Sequence, residues 1–97
     1  MLNNNQKKMC EKIIKNSTEI KQSFVAMEEL AELQQAISKY QREPTIFNVD
    51  NIIEEMADVY IILEELKYVF PMYEDEIEKQ IEFKLQRELK RIADKNS

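Results

Sequence analysis

The chain contains no glycine among its 97 residues, and this absence limits its fold more than any other feature. Phosphate-binding loops and dinucleotide-binding fingerprints depend on glycine, and so do type I′ hairpin turns of the Asn-Gly kind. Proline occurs only twice, at Pro44 and Pro71, and nearly every segment between these breaks has helical rather than alternating periodicity. The sequence therefore predicts an all-α protein, in which any bound phosphate must be held by metal ions and side chains.

Capping residues and breaks divide the first half of the chain into two predicted helices. The first is expected from Asn5 to about Lys15. Ser17 or Thr18 can cap the second, because a hydroxyl accepts a hydrogen bond from a free amide of the first turn. The second helix should then run to about Arg42.

The two prolines set the limits of the remaining helices. The residue before a proline avoids the helical conformation, so residues 43–47 are expected to form a connecting loop. A third helix should begin at Asn48 or Asp50 and run to about Phe70. Acidic residues then supply the first turn of a fourth helix, which should continue to about Ala93.

The length of the chain fits one domain, residues 1–97, with frayed termini at residues 1–4 and 94–97. The third predicted helix is apolar around much of its circumference and therefore needs burial on most sides. Four short helices of one chain can hardly enclose it. We therefore expect a four-helix bundle completed in a homodimer or a homotetramer, with the third helix near the interface.

Composition excludes several classes of function. A net charge of −5 argues against binding to a nucleic-acid polymer, and the absence of histidine excludes imidazole zinc sites and His-based triads. A single cysteine, Cys10, cannot form an intramolecular disulfide and fits a helix-face filler. The N-terminal residues lack the apolar core of a signal peptide, and the longest apolar run, residues 59–63, is too short to span a bilayer. We expect a cytoplasmic protein that is not associated with membranes.

Two carboxylate pairs carry the functional signal: Glu29-x-x-Glu32 on the second predicted helix and Glu55-x-x-Asp58 on the third. A step of three residues places both members of a pair on one helix face, about 4.5 Å apart along the axis. Both pairs continue the apolar packing stripe of their helix. Because an unpaired buried carboxylate costs several kcal/mol or takes up a proton, something cationic is expected to meet them.

Two simpler interpretations compete with a ligand site. Acids in an acidic protein are usually solvated, and we expect this of five others: Glu64, Glu65, Glu74, Glu76 and Glu78. Alternatively, Lys or Arg from another helix could pair with the four acids, although several bases would then be needed at one place.

An oxygen-only set of four carboxylates is typical of a site for a hard divalent cation. Mg²⁺ is the expected metal, with Mn²⁺ as an alternative, because the chain offers neither histidine nor several cysteines for softer metals. No segment matches a 12-residue calcium loop, and di-iron bundles require Glu-x-x-His.

Basic residues on the fourth predicted helix could complement such a site. Lys84, Arg87 and Arg91 fall on one stripe and are candidates for holding phosphate oxygens. Taken alone, such residues more often belong to a solvated surface. Lys39 and Asn51 are lesser candidates, since they lie on the faces of the two acidic pairs.

The two motifs resemble those of the MazG-type, all-α nucleoside triphosphate pyrophosphohydrolases, whose signature is ExxE, a spacer of similar length, and ExxD. The matching stretches are EELAEL at residues 28–33 and EEMADV at residues 54–59, and the resemblance extends over roughly residues 20–91. It implies a MazG-like bundle, assembly as a dimer or tetramer, and Mg²⁺-dependent hydrolysis of a nucleoside triphosphate to the monophosphate and pyrophosphate, in nucleotide-pool house-cleaning.

The resemblance also implies roles for individual residues. Glu29, Glu32, Glu55 and Asp58 would be the metal ligands and catalytic residues, and Glu28 or Glu32 could accept the proton of the attacking water. Basic residues after the second motif would contact phosphate, and Lys84 with Arg87 matches that element. The sequence does not single out residues that recognise the base. Three aromatic residues could stack on it, but each is expected in the core: Phe24, Tyr40 and Phe47.

Two other functions fit the same sequence. One is a non-catalytic helical adaptor that keeps the scaffold, and the other is a related pyrophosphatase acting on dUTP or phosphoribosyl-ATP. The metal motif does not distinguish them, because specificity depends on the shape of the substrate pocket.

Overall fold

The computed structural model describes all residues, 1–97, and confirms an all-α protein without strands. Four α-helices follow one another along the chain, and a short 3₁₀ turn, Pro71–Tyr73, joins the last two. The helices are α1 (Asn4–Ile14), α2 (Glu19–Arg42), α3 (Ile46–Val69) and α4 (Glu74–Asn96).

Side-chain caps fix the starts of the first two helices. The Asn3 side chain accepts a hydrogen bond from the Gln6 amide at 2.8 Å, and the Gln6 side chain accepts one from the Asn3 amide, which completes a capping box. Thr18 Oγ1 accepts from the Lys21 amide at 3.1 Å, so Thr18 rather than Ser17 caps α2. The end of α2 at Arg42 agrees with the prediction.

The predicted start of α3 was wrong, because the helix begins at Ile46 instead of Asn48 or Asp50. Thr45 is the cap, and its hydroxyl accepts from the Asn48 amide at 3.2 Å. Asn48 is 2% exposed, and its side-chain amide donates to the Glu43 carbonyl at 2.7 Å. These bonds close the turn within three residues, Glu43–Thr45.

The far ends of the last two helices lie close to their predicted positions. α3 ends at Val69, where the proline-led turn begins, and α4 continues to Asn96, three residues beyond the expected end.

The α2–α3 hairpin is the central packing unit, and its short loop makes the two helices antiparallel neighbours. Small side chains, Ala26 and Ala36, are buried on α2, and Ile62 is buried on α3. α1 packs on α3, where Tyr68 Oη donates to the Lys7 carbonyl at 3.2 Å.

One chain does not close a four-helix bundle. α4 has no buried residue and lies mainly against the 3₁₀ turn. The radius of gyration is 16.6 Å, whereas a compact chain of this length is expected near 12–13 Å. None of the helices combines the length and the apolar character that crossing a membrane requires.

Glu64 and Glu65 were expected to be surface acids, and this prediction was wrong. They are 8% and 6% exposed, because α1 covers this part of α3. Lys67 Nζ lies 3.5 Å from a Glu64 carboxylate oxygen, so that charge is paired. Glu65 has only Gln22, whose side-chain amide donates to it at 3.5 Å. Burial raises the pKa of the Glu65 carboxyl, and the Gln22 hydrogen bond partly offsets this.

Cys10 lies in the same region and is 3% exposed, which agrees with the predicted filler role. Burial raises the pKa of its thiol, and the negative charges of Glu65 and Glu64 raise it further. A thiol of this kind has little nucleophilic character at neutral pH.

We expect Glu65→Gln to stabilise the protein more at about pH 7 than at about pH 4. The folded-state pKa of Glu65 lies above its ordinary value of 4.5, so the folded protein binds the proton more tightly than the unfolded chain. The wild type therefore loses stability as the pH rises from the ordinary pKa through the raised one, and the variant does not. Urea unfolding at both pH values, without divalent cations, measures the difference.

Glu43→Gln is the matched control, because Glu43 is exposed and its carboxylate makes no hydrogen bond or salt bridge. Its effect should be small and similar at both pH values. A Glu65→Gln variant that is less stable than the wild type at about pH 7 would show that the Glu65 carboxylate is stabilised as an anion.

Candidate metal site

The two carboxylate pairs meet between α2 and α3. One carboxylate oxygen from each of Glu29, Glu32, Glu55 and Asp58 lies within 4.8 Å of the other three. The sequence predicted these four residues as one cluster, and the hairpin brings all of them together.

The antiparallel register of the hairpin explains the convergence. Asp58 is the charge that acts most strongly on Glu29, and Glu32 is the charge that acts most strongly on Glu55. Moving three residues forward along α2 corresponds to moving three residues backward along α3. The first acid of each pair therefore faces the second acid of the other pair across the contact between the two helices.

Two carboxylate oxygens of the cluster are buried without a hydrogen-bond partner. They are Oε2 of Glu29 and Oε2 of Glu55. The residues that face them, Asp58 and Glu32, are exposed and form the opening of the cluster. Buried polar atoms are nearly always paired in folded proteins, so these two oxygens indicate a ligand position.

Electrostatics in the cluster favour proton or cation uptake. The pKa of the Glu29 carboxyl is raised, first by burial and then by the negative charges of the other three carboxylates, led by Asp58. The pKa of the Glu55 carboxyl is also raised, first by burial and then chiefly by Glu32 and Asp58. A bound cation would reverse both effects, because it favours the ionised form of its ligands.

No lysine or arginine neutralises the four acids. The salt bridges of the chain lie elsewhere, between Lys15 and Glu11 and between Lys67 and the acids Glu64 and Glu74. The alternative in which basic side chains pair with the cluster therefore has no support within one chain.

The donor set fits a hard divalent cation. Its ligand atoms are all carboxylate oxygens, and two of them are desolvated and unpaired. Mg²⁺ and Mn²⁺ accept such oxygens and retain water in their remaining positions. The cluster could therefore hold a metal ion and leave its open side to water or substrate.

The structure does not bring the basic stripe to the acids within one chain. Lys84, Arg87 and Arg91 are exposed on α4, which makes little contact with the hairpin. The Arg87 guanidinium instead lies over the Phe83 ring, 5.6 Å from its centroid.

The lesser candidates are not joined to the acids by a salt bridge or a side-chain hydrogen bond. Lys39 is exposed and forms no salt bridge, and Asn51 is half-buried with no side-chain hydrogen bond. Glu28 is exposed beside Glu29, and its position leaves it a candidate for accepting a proton.

The expectation that the aromatic candidates belong to the core was wrong. Phe24 is 63% exposed, Phe47 is 76% exposed and Tyr40 is 36% exposed. Too few helices surround the hairpin to cover these rings, so they are accessible on its surface.

Sequence reasoning missed that the polar contact between the helices extends beyond the four acids. Gln22 and Glu65 continue the same register, seven residues before Glu29 and seven residues after Asp58. Steps of seven keep side chains on one stripe of a helix, so this spacing could have revealed the pair.

No family model, no curated protein and no solved structure matches the chain. The likeness to MazG-type enzymes therefore remains a resemblance in the sequence motifs.

We expect Glu55→Gln to raise the melting temperature of the metal-free protein. The change removes one negative charge from a crowded cluster, and the new amide can donate a hydrogen bond to Glu32. Thermal unfolding followed by circular dichroism in the presence of a chelator measures the effect. Glu54→Gln, at the exposed neighbouring position, should change the melting temperature less. A strong loss of stability in Glu55→Gln would instead indicate a structural ion pair.

Millimolar Mg²⁺ or Mn²⁺ should raise the melting temperature of the wild type, because a ligand that binds only the folded state stabilises it. The same addition should have little effect on Glu55→Gln, which lacks one ligand. Calorimetric titration with the metal alone gives an independent measurement. Equal metal binding by the wild type and the variant would place the metal elsewhere.

Proposed function

We propose that this protein is a MazG-like, Mg²⁺-dependent nucleoside triphosphate pyrophosphohydrolase that converts (d)NTP to (d)NMP and pyrophosphate. The observation that carries the proposal is the convergence of four carboxylates, two of them with buried and unpaired oxygens, at a site without any basic side chain. A structural cluster would be expected to contain its own counter-charges.

The four acids would hold the metal, with Glu29 and Glu55 at the inner positions and Glu32 and Asp58 at the opening. The chemistry that Mg²⁺ supplies when bound is neutralisation of the triphosphate charge and acidification of water. The reaction breaks the anhydride bond between the α- and β-phosphates. One water molecule is consumed, and it adds a hydroxyl group to one product and a proton to the other.

The proton from the attacking water would pass to a carboxylate at or beside the opening. Glu32 and Glu28 are the two candidates, since both are exposed and neither has a resolved ion-pair partner. Glu32 belongs to the cluster itself, whereas Glu28 is free of metal ligation in this assignment.

The leaving pyrophosphate needs positive charge that the hairpin does not provide. Lys84, Arg87 and Arg91 are the proposed source, with Arg as a fork and Lys as a point charge. Because α4 lies away from its own hairpin, these residues would act in an assembly of chains, a homodimer or a homotetramer. Exposed Phe24, Tyr40 and Phe47 are available for stacking on a base.

We expect the wild type to release monophosphate and pyrophosphate from at least one member of a panel of canonical and modified triphosphates, in the presence of Mg²⁺. Glu55→Gln should lower kcat/KM by at least about 100-fold, because a metal ligand contributes more than the outer-shell partners whose loss costs 10–100-fold. Separation of the products by anion-exchange chromatography identifies the bond that breaks.

Glu54→Gln serves as the control and should keep most of the activity, since Glu54 is exposed and outside the cluster. Release of inorganic phosphate together with a nucleoside diphosphate would contradict the proposed bond cleavage. Metal binding without turnover of any triphosphate would favour the non-catalytic adaptor, and turnover confined to dUTP or phosphoribosyl-ATP would identify a related pyrophosphatase.

A further inference from the structure

α1 is held on the rest of the fold by a small contact. Cys10 is its only buried residue, and the helix packs mainly on α3. One side-chain hydrogen bond joins the two helices, from Tyr68 Oη to the Lys7 carbonyl. A docked amphipathic helix normally buries a stripe of several apolar residues, whereas Met9 and Ile13 of α1 are 57% and 55% exposed.

Hollows lie at both ends of the contact between α1 and α3. Near the start of α1, a hollow of about 490 Å³ lies between Leu2 and Gln6 on one side and Tyr60 of α3 on the other. A smaller hollow of about 170 Å³ lies beside the turn at residues 15–18, next to Val69. Such gaps remove van der Waals contacts that would otherwise hold the helix in place. α1 therefore belongs to the part of the fold that opens locally at the lowest cost.

The centre of the same contact covers a carboxylate. Glu65 of α3 is 6% exposed, and its polar partner is the uncharged side-chain amide of Gln22 on α2, at 3.5 Å. On the α1 side it faces Cys10, since the Glu65 charge raises the pKa of that thiol second only to burial. An ionised Glu65 beneath α1 is thus buried with a single neutral partner, which is unfavourable.

No positive charge compensates Glu65. Lys67 of the same helix makes its salt bridges with Glu64 and Glu74 instead. The facing residue of α2, Gln22, carries no charge. The cost of burying the Glu65 anion therefore remains uncompensated while α1 is docked.

The other titratable groups at this contact do not ionise together with Glu65. Burial is the first cause of a raised pKa for both the Cys10 thiol and the Tyr68 phenol, whose ordinary values are 9.0 and 10.0. Glu11 of α1 is half-buried and pairs with Lys15 at 3.8 Å. In the acidic to neutral range, Glu65 is therefore the buried and uncompensated group whose charge changes beneath α1.

We propose that α1 is a pH-sensitive cover, which is docked over a protonated Glu65 and is released when Glu65 ionises. Release returns the carboxylate to water, with the turn at residues 15–18 as the hinge. The α2–α3 hairpin stays closed, because Ala26, Ala36 and Ile62 remain buried in its own contact. Released α1 has 11 residues, too few for a stable isolated helix, and unwinds. This device is independent of the reaction proposed above.

The direction of the pH effect follows from the two states of α1. When α1 is docked, the pKa of Glu65 is raised by burial above its ordinary value of 4.5, to which it returns on release. The ratio of released to docked molecules therefore rises as the pH increases above 4.5, by up to about tenfold per pH unit. It becomes constant above the raised pKa, and α1 is most firmly docked in acid.

Labelling of Cys10 measures the release, because this single cysteine is 3% exposed while α1 is docked. Dithiodipyridine, which reacts with thiols in acid as well as at neutral pH, is the probe. The labelling rate at each pH is divided by that of an unfolded peptide of residues 7–13, which removes the intrinsic pH dependence of the thiol. The corrected rate of the wild type should rise at least about threefold between about pH 4.5 and about pH 8.

Three variants assign the effect. Glu65→Gln should keep the corrected rate low and nearly constant with pH, because no anion forms beneath α1. Glu11→Gln is the matched control, since it removes one negative charge from α1 itself and should keep the wild-type pH dependence. Tyr68→Phe removes the hydrogen bond to the Lys7 carbonyl and should raise the corrected rate about 2- to 10-fold at every pH.

Urea below the unfolding transition separates local release from unfolding of the whole chain. Release of α1 exposes little surface, so the corrected rate should depend only weakly on urea. A strong dependence would overturn the proposal, because Cys10 would then be reached only through global unfolding. So would a corrected rate that does not change with pH, or a Glu65→Gln variant with the pH dependence of the wild type. None of these results depends on metal binding or on turnover.

Discussion

Mutual repulsion among four carboxylates between α2 and α3 is the constraint on which the rest of the structure depends. An apolar contact between two long helices would normally be the most stable part of such a hairpin. Here its centre holds Glu29 and Glu55 with buried and unpaired oxygens, and burial raises the pKa of both carboxyls. The buried carboxylates therefore lower the stability of the metal-free hairpin, and a cation bound between them would restore it. This pattern is typical of a functional site, because strain is retained only where it has a use.

The surrounding packing compensates for that cost in a limited way. Ala26 and Ala36 allow close approach of the helices, and Ile62 fills the contact between them. At one end, Gln22 and Glu65 replace apolar packing with a buried hydrogen bond. The hairpin thus has only a small apolar core, because much of the contact between α2 and α3 is made by polar side chains. Such a core is small for a chain of this size, which agrees with the large apolar area that is left exposed.

Helix content and most boundaries could be predicted because they depend on neighbours in sequence. The cap at Thr18 and the end of α2 follow from local hydrogen bonding and from proline sterics. The start of α3 was misplaced because Thr45 competes with Asn48 as a cap, and the side chain of Asn48 is instead used in the turn. The four acids were identified because a three-residue step and an apolar stripe are both visible in the sequence.

The sequence by itself determined an all-α chain and the membership of the acidic cluster, because helical periodicity fixes which side chains share a face. Only the tertiary structure decided which charges are compensated. The antiparallel register joined the two acidic pairs, and the packing of α1 buried Glu64 and Glu65, which had been assigned to solvent. The direction of α4 kept Lys84 and Arg87 away from the acids of the same chain. Periodicity fixes directions around a helix axis, whereas the position of one helix against another depends on contacts between residues far apart in sequence.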